Sequence, residues 1–313
     1  TQRRSAFQSA EAEALADTTI STMIMSTMVK RKQSSKRQYA GHSKISNDVS
    51  KRDQPGAKSS RRQSSSGREW IYGTHAVQGI LANPLRRCHR IFVTGQPSKV
   101  LTHLPASRSW HLPEPEICQR AVLDASLPSG AIHQGIAVEV DPLPSVEISD
   151  ICDALSADQS AVVVILDQAT DPRNIGAVLR SAAAFGANAC IMQNRHAPDV
   201  TGVMAKAASG ALEKVPLIQV TNIVRSMKEL QASGFWCVGL DGNANQDLAS
   251  ANLSGRIALV VGAEGRGLRR LTREHCDIMV RIPISGAVES LNLSTAAAVA
   301  FYEITRRADA GIP

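Results

Sequence analysis

From residue 160 onward the chain alternates short apolar runs with longer amphipathic stretches. The runs at 161–166, 189–193, 217–220, 236–240, 257–261 and 278–282 read as strands. They are apolar at consecutive rather than alternate positions. Such strands are buried on both faces, which predicts a parallel sheet with helices packed on each side. A last helix is expected over 291–307. Ahead of this unit lies a smaller one. Order is expected to begin at Trp70-Ile71-Tyr72-Gly73, followed by a helix over 75–81 and strands at 90–94, 131–132 and 136–140. Pro142 and Pro144 break any element between the two. The expected organisation is therefore a small α/β domain at 69–141, a linker at 142–159 and a larger α/β domain at 160–313.

Residues 1–68 show no apolar periodicity and are rich in Ser, Gln, Lys and Arg. Such a segment buries too little surface to offset its chain entropy, so a disordered basic extension is expected there. Division of the charge bears this out as a property of the sequence. The net +7 resolves into 14 Lys/Arg against 5 Asp/Glu within 1–68, and 21 against 23 in the remainder. The extension could attract phosphate backbone non-specifically, or be an unconstrained terminal segment. A transit peptide is also conceivable, although Glu11, Glu13 and Asp17 count against it. The rest is nearly neutral and, at 43% apolar residues overall, has ample material for a core. No run approaches the ~18 uncharged apolar residues of a membrane helix. Cys88, Cys118, Cys152, Cys190, Cys237 and Cys276 are scattered without a C-x-x-C pair. That argues against a disulfide framework or zinc site and fits a reducing compartment.

Three segments at strand ends carry candidate chemistry. The first runs Leu166-Asp167-Gln168-Ala169-Thr170-Asp171-Pro172-Arg173-Asn174-Ile175-Gly176 and continues to Arg180. Asp171-Pro172 supplies an N-cap and a first helical proline, and Gly186 a stop. Alone, this is an ordinary βα unit. The second, Val261-Gly262-Ala263-Glu264-Gly265-Arg266-Gly267-Leu268, runs from a strand into three glycines. Its G-x-x-G-x-G spacing reverses the dinucleotide fingerprint and lacks the Walker pattern. It would serve either as a tight turn or as a loop bringing backbone close to a ligand. The third, Arg281-Ile282-Pro283-Ile284-Ser285-Gly286-Ala287-Val288-Glu289-Ser290-Leu291-Asn292-Leu293-Ser294, opens a helix that begins with the small-residue run Thr295-Ala296-Ala297-Ala298. A helix so bare packs closely against other backbone, and its polar start presents N–H groups.

Taken together and in order, the three segments resemble the signature motifs of the SpoU/TrmH ribose methyltransferases. Lys206-Ala207-Ala208-Ser209-Gly210-Ala211-Leu212-Glu213 extends the likeness between the first two. Tyr72-Gly73 with His75-Ala76-Val77, and His133-Gln134-Gly135-Ile136, are similar to the N-terminal domain of the RlmB-type subgroup. The resemblance spans about residues 70–308 and leaves out the basic extension. It departs from the common pattern at Arg266 and Leu293, neither expected to touch chemistry. It implies a SPOUT methyltransferase domain with a C-terminal trefoil knot, preceded by an L30e-like RNA-binding domain, and a homodimer with its site near the subunit interface.

The resemblance further implies S-adenosyl-L-methionine as cofactor and an RNA ribose 2′-OH as acceptor. Gly262, Gly265, Gly267, Ile282, Leu291 and Ser294 would hold the cofactor, and Asn174, Glu264, Ser290 and Asn292 would orient the ribose. Arg180 is the family's candidate base. An arginine stays protonated, so anchoring the target phosphate and the developing oxyanion suits it better. His133 fits a turn or core position more readily than an RNA contact. No Ser-His-Asp, nucleophilic-cysteine or metal-ligand constellation emerges. The small N-terminal domain favours large-subunit ribosomal RNA, at the P-loop guanosine, while the basic extension keeps a tRNA substrate open. A non-catalytic RNA-binding assembly factor would be expected to lack Arg180, Glu264 or Asn292, and all three are present. A nicotinamide dehydrogenase lacks its fingerprint here. The expected compartment is cytoplasmic, with an organelle matrix as alternative.

Overall fold

The structure, a computed structural model, describes residues 67–95, 112–156, 158–195, 198, 200 and 202–311. The expectation for the basic extension falls, apart from residues 67 and 68, outside the described residues. The N-terminal unit is a four-stranded sheet of β1 (Glu69–Tyr72), β2 (Cys88–Val93), β3 (Pro115–Ile117) and β4 (Ile136–Val140), in the order β1-β4-β2-β3. Helices α1 (Thr74–Ala82) and α2 (Arg120–Ser126) accompany it. Residues 131–132 form no strand: β4 already pairs with β1 and β2, and Ile132 is exposed. The overlooked β3 is an edge strand, which is where a leading Pro115 is tolerated.

The larger unit has seven strands in the order β7-β6-β5-β10-β8-β11-β9. These are β5 (Ala161–Asp167), β6 (Ala189–Gln193), β7 (Leu217–Val220), β8 (Phe235–Leu240), β9 (Gln246–Asp247), β10 (Arg256–Gly262) and β11 (Ile278–Arg281). Every pairing among them is parallel, as the doubly buried runs predict. One face carries α4 (Pro172–Ala184), α5 (Gly202–Ala208) and α8 (Leu293–Ala310). The other carries α3 (Ile148–Ala154), α6 (Ile223–Ala232) and α7 (Arg270–Glu274). Helix α3 lies within the stretch 142–159, and its Ile148 and Ile151 are buried among Val163, Ile165 and Ala189, so this turn of chain packs into the second core.

The first core does not stop at the domain boundary. Ile71, Val77, Ile80 and Leu81 of the N-terminal unit belong to the same cluster as Val164, Leu166, Val178 and Met204. Helix α1 approaches the Ser209-Gly210 turn so closely that a Cβ on Gly79 would lie 2.8 Å from Gly210 Cα. Beside this contact Arg86, 3% exposed, sets Nε 3.4 Å from Glu213 Oε1 and Nη2 3.6 Å from Glu69 Oε2. Asn83 Nδ2 donates to Glu213 Oε2 at 2.7 Å. A buried acid and guanidinium are tolerable only when paired in this way.

Candidate active site

The site forms where β5 and β10 end side by side. Their register places Gly262 opposite Asp167, so the loops that follow leave the same edge of the sheet. From β5 the chain turns through Gln168, whose φ is +65°, into α4. Asp171 caps that helix by accepting from Arg173 N at 2.8 Å, with Pro172 at its first position. A cap of this kind stabilises by about 1 kcal/mol. Asn174 follows within the first turn. Two residues on, Gly176 lets α4 press against α5, where a Cβ would meet Ala207 Cβ and Met204 O at 2.6 Å.

From β10 the chain enters the glycine loop, which closes on itself through Gly267 N donating to Ala263 O at 2.9 Å. Gly265 and Gly267 occupy the left-handed region at φ +76° and +63°. A Cβ on Gly262 would stand 2.2 Å from Gly267 C, so the strand end and the returning loop touch backbone to backbone. The third segment reaches the same place. Asn292 is the N-cap of α8, accepting from Ser294 N at 2.9 Å and from Ser294 Oγ at 2.6 Å. The helix therefore starts at Leu293, two residues later than expected, because residue 292 gives its side chain to the cap.

These three loops are joined by one hydrogen-bonded cluster. Glu264 Oε1 accepts from Asn174 Nδ2 at 2.8 Å, from Asn292 Nδ2 in a shorter contact, and from Leu293 N at 3.4 Å. Asn292 Nδ2 also lies 3.2 Å from Asn174 Oδ1. Leu293 enters this cluster through its backbone N–H alone. Arg180 is not in the cluster: it is exposed on α4 and makes no hydrogen bond or ion pair among the described residues. Ser290 is exposed and Leu291 half-buried in the segment leading to the cap, and Ile282 packs against the first core.

Sequence reasoning missed a second cluster beneath the first. Asp167, fully buried, accepts from Arg269 N at 3.0 Å and from Arg269 Nε at 2.7 Å, and Arg269 Nη2 lies 2.6 Å from its Oδ1. The available signal was an acid at the last position of a buried strand, which demands a partner. His133 is a loop brace, 3% exposed, accepting from Gly135 N at 3.0 Å and lying 3.2 Å from Asp124 Oδ1. Burial pushes the thiols of Cys190, Cys237 and Cys276 up to about 12, which removes them as nucleophiles near neutral pH. Among the described residues no group of three or more His, Cys, Asp or Glu could hold a metal ion, and no helix is long and apolar enough to cross a membrane.

The chain has relatives among known proteins. Residues 161–302 match the SpoU rRNA Methylase family, and residues 70–146 match the RNA 2′-O ribose methyltransferase substrate binding family. The 23S rRNA (guanosine-2′-O-)-methyltransferase RlmB of Escherichia coli is 40% identical over 240 residues, which are 76% of this chain and 98% of that protein. The chain belongs to the SpoU rRNA methylase family. RlmB of Haemophilus ducreyi is 42% identical over 241 residues, again 76% of this chain and 98% of the relative. Among solved structures, the SpoU methyltransferase AviRb of Streptomyces viridochromogenes, in complex with AdoMet, superimposes with a TM-score of 0.66. That match covers 81% of this chain and 96% of AviRb at 24% identity. An AdoMet-bound rRNA methyltransferase of Sinorhizobium meliloti gives 0.62 at 20% identity, over 77% of this chain and 88% of that one. These two likenesses concern the α/β fold with its parallel sheet.

Proposed function

We propose that this SpoU-family chain transfers a methyl group from S-adenosylmethionine to a ribose 2′-OH of large-subunit ribosomal RNA, at a guanosine. The carrying observation is the Asn174–Glu264–Asn292 cluster, which gathers one side chain from each of the three strand-end segments. Relatives at 40% identity across nearly their whole length, named for this reaction, support the same reading.

The residues present fit a sulfonium cofactor. The contact between Gly262 and Gly267 leaves the strand end without a side chain, so backbone edges can line a flat ligand. The guanidinium of Arg269, immediately after the loop, is already paired with Asp167. Backbone of Gly262, Gly265, Gly267, Ile282 and Leu291, with Ser294, would hold the cofactor, which supplies an electrophilic methyl group. Asn174, Ser290 and Asn292 would orient the ribose, with Glu264 fixing both amides. Arg180, with no protein partner among the described residues, is free to take the target phosphate and the charge developing on the attacking oxygen.

The chain acts as a homodimer in this reading, with a trefoil knot in its C-terminal part. Val299 and Tyr302 are exposed one turn apart on α8, and Tyr302 meets Phe185 just beyond the end of α4. That strip suits a second subunit. The deciding experiment incubates the protein with S-adenosylmethionine and unmodified ribosomal RNA or tRNA, then maps any 2′-O-methylated nucleotide. A single modified guanosine in large-subunit RNA is expected. Modification of tRNA alone would replace the substrate, and methyl on neither RNA would overturn the reaction. Arg180→Lys should lower turnover at least tenfold, since an ammonium cannot hold phosphate with two parallel bonds.

A further inference from the structure

We propose that Asp167 and Arg269 are a positioning pair for methyl transfer, holding the glycine loop so that Glu264 meets Asn174 and Asn292. This rests on the methyltransferase reading above. Neither residue belongs to the three-loop cluster. Their importance comes from where they sit in the chain. Asp167 is the last residue of β5 and lies opposite Gly262, the last residue of β10. Arg269 is the residue at which the loop opened by Gly262 ends and α7 begins. The loop is thus held at both ends from one edge of the sheet, by strand pairing at Gly262 and by the Asp167 carboxylate at Arg269.

The manner of attachment matters. Asp167 takes the backbone N–H of Arg269 on Oδ2 and the guanidinium on Oδ1, so it fixes both the path of the chain and the side chain. Asp167 is completely buried while about a third of the Arg269 side chain is exposed. An acid inside the sheet edge thereby clamps a residue at its surface. Between the two fixed ends the loop has two left-handed glycines and one internal bond, Gly267 N to Ala263 O. Leu268 is buried in the second core and Glu264 bonds to Asn174, Asn292 and Leu293 N, so releasing the Arg269 end would leave those contacts alone to carry the loop. On the other side, Asp167 immediately precedes Gln168, a non-glycine residue at φ +65° that turns the chain toward α4 and Asn174. Such a backbone persists only where its surroundings enforce it. The pair therefore braces both loops that supply the cluster.

The test compares Arg269→Gln and Arg269→Lys with the parental full chain by three readouts. The first is hydrogen exchange at residues 263–268 against β10, the second S-adenosylmethionine affinity by calorimetry, and the third kcat and RNA KM for methyl transfer. Expected for Arg269→Gln are faster exchange in 263–268 with β10 unchanged, cofactor affinity and kcat each reduced at least tenfold, and RNA KM within twofold. Arg269→Lys, which keeps the charge but not the fork, should fall between. If exchange in 263–268, cofactor affinity and kcat all stay within twofold, the proposal is overturned. Uniformly faster exchange, with kcat per folded molecule unchanged, also overturns it by reducing the pair to a general stabiliser. Should Arg269→Gln not fold, Arg269→Lys decides by the same criteria. Parental protein that binds the cofactor but methylates no RNA would defeat the functional reading, while exchange and affinity would still judge the pair.

Discussion

Gly262→Ala separates a packing requirement from a conformational one. The added Cβ would fall 2.2 Å from Gly267 C and 2.4 Å from Leu268 N, where ordinary contact begins at 3.4 Å. The opposing atoms are backbone, so no rotamer change relieves the overlap. The loop must retreat by about 1.2 Å, the difference between these distances. Overpacking of this kind costs about 1–3 kcal/mol, which lowers Tm by roughly 2–12 °C in a domain of this size. The larger effect falls on function, because a displacement of about 1 Å at a reacting geometry costs on the order of 100-fold. Gly265→Ala is the control. No atom lies within 4 Å of its Cβ, and only the φ of +76° is unfavourable, a cost of about 1–2 kcal/mol. Thermal melts and calorimetric titration with S-adenosylmethionine should show Gly262→Ala losing far more affinity than Gly265→Ala for a comparable loss of Tm. A Gly262→Ala protein melting within about 1 °C of the parent, with affinity within twofold, would refute the reasoning.

Glu264→Ala leaves three N–H donors without their acceptor. The site is open enough for water to replace it, so stability should fall by under about 1 kcal/mol while kcat falls on the order of 100-fold. Single-turnover methylation at saturating cofactor checks this. The Glu303 carboxyl is held at about 2 by hydrogen bonds from Arg306 first and Arg307 second. Its contribution to stability is therefore complete above the ordinary value of 4.5 and disappears as pH falls through about 2. Glu303→Gln should destabilise at pH 7, with the difference in Tm shrinking toward zero across that window. Cys190 and Cys237, whose thiols burial raises to about 12, should resist iodoacetamide at pH 8 in the native protein and react once it is unfolded, as peptide mass mapping would show.

The parallel sheet was legible because its inner strands β5, β6 and β10 are runs of apolar residues buried on both faces, and 189–193 and 217–220 match their strands residue for residue. β9 was not, since two residues carry no pattern. Helix α3 was readable in principle from Ile148, Ile151 and Leu155, which share a face. The nearby prolines drew the stretch toward a linker instead. Of the site, the strand-end loops could be found but not their union. Asn174 and Glu264 are 90 residues apart, and Asn174 and Asn292 are 118. Only the folded sheet makes them neighbours. Asp167 and Arg269, 102 residues apart, left no local trace beyond a buried acid needing a partner.

The core that runs unbroken from Ile71 and Val77 to Leu166 and Val178, with Arg86 paired to Glu213, makes the protein a caliper on the methyltransferase reading. On that reading, any stretch of RNA gripped by the N-terminal unit would be held at an offset set when the chain folds. Selection would then include a measurement of length. A transcript whose gripped feature and target ribose stand at another separation must itself bend, and the energy of bending is charged to the RNA.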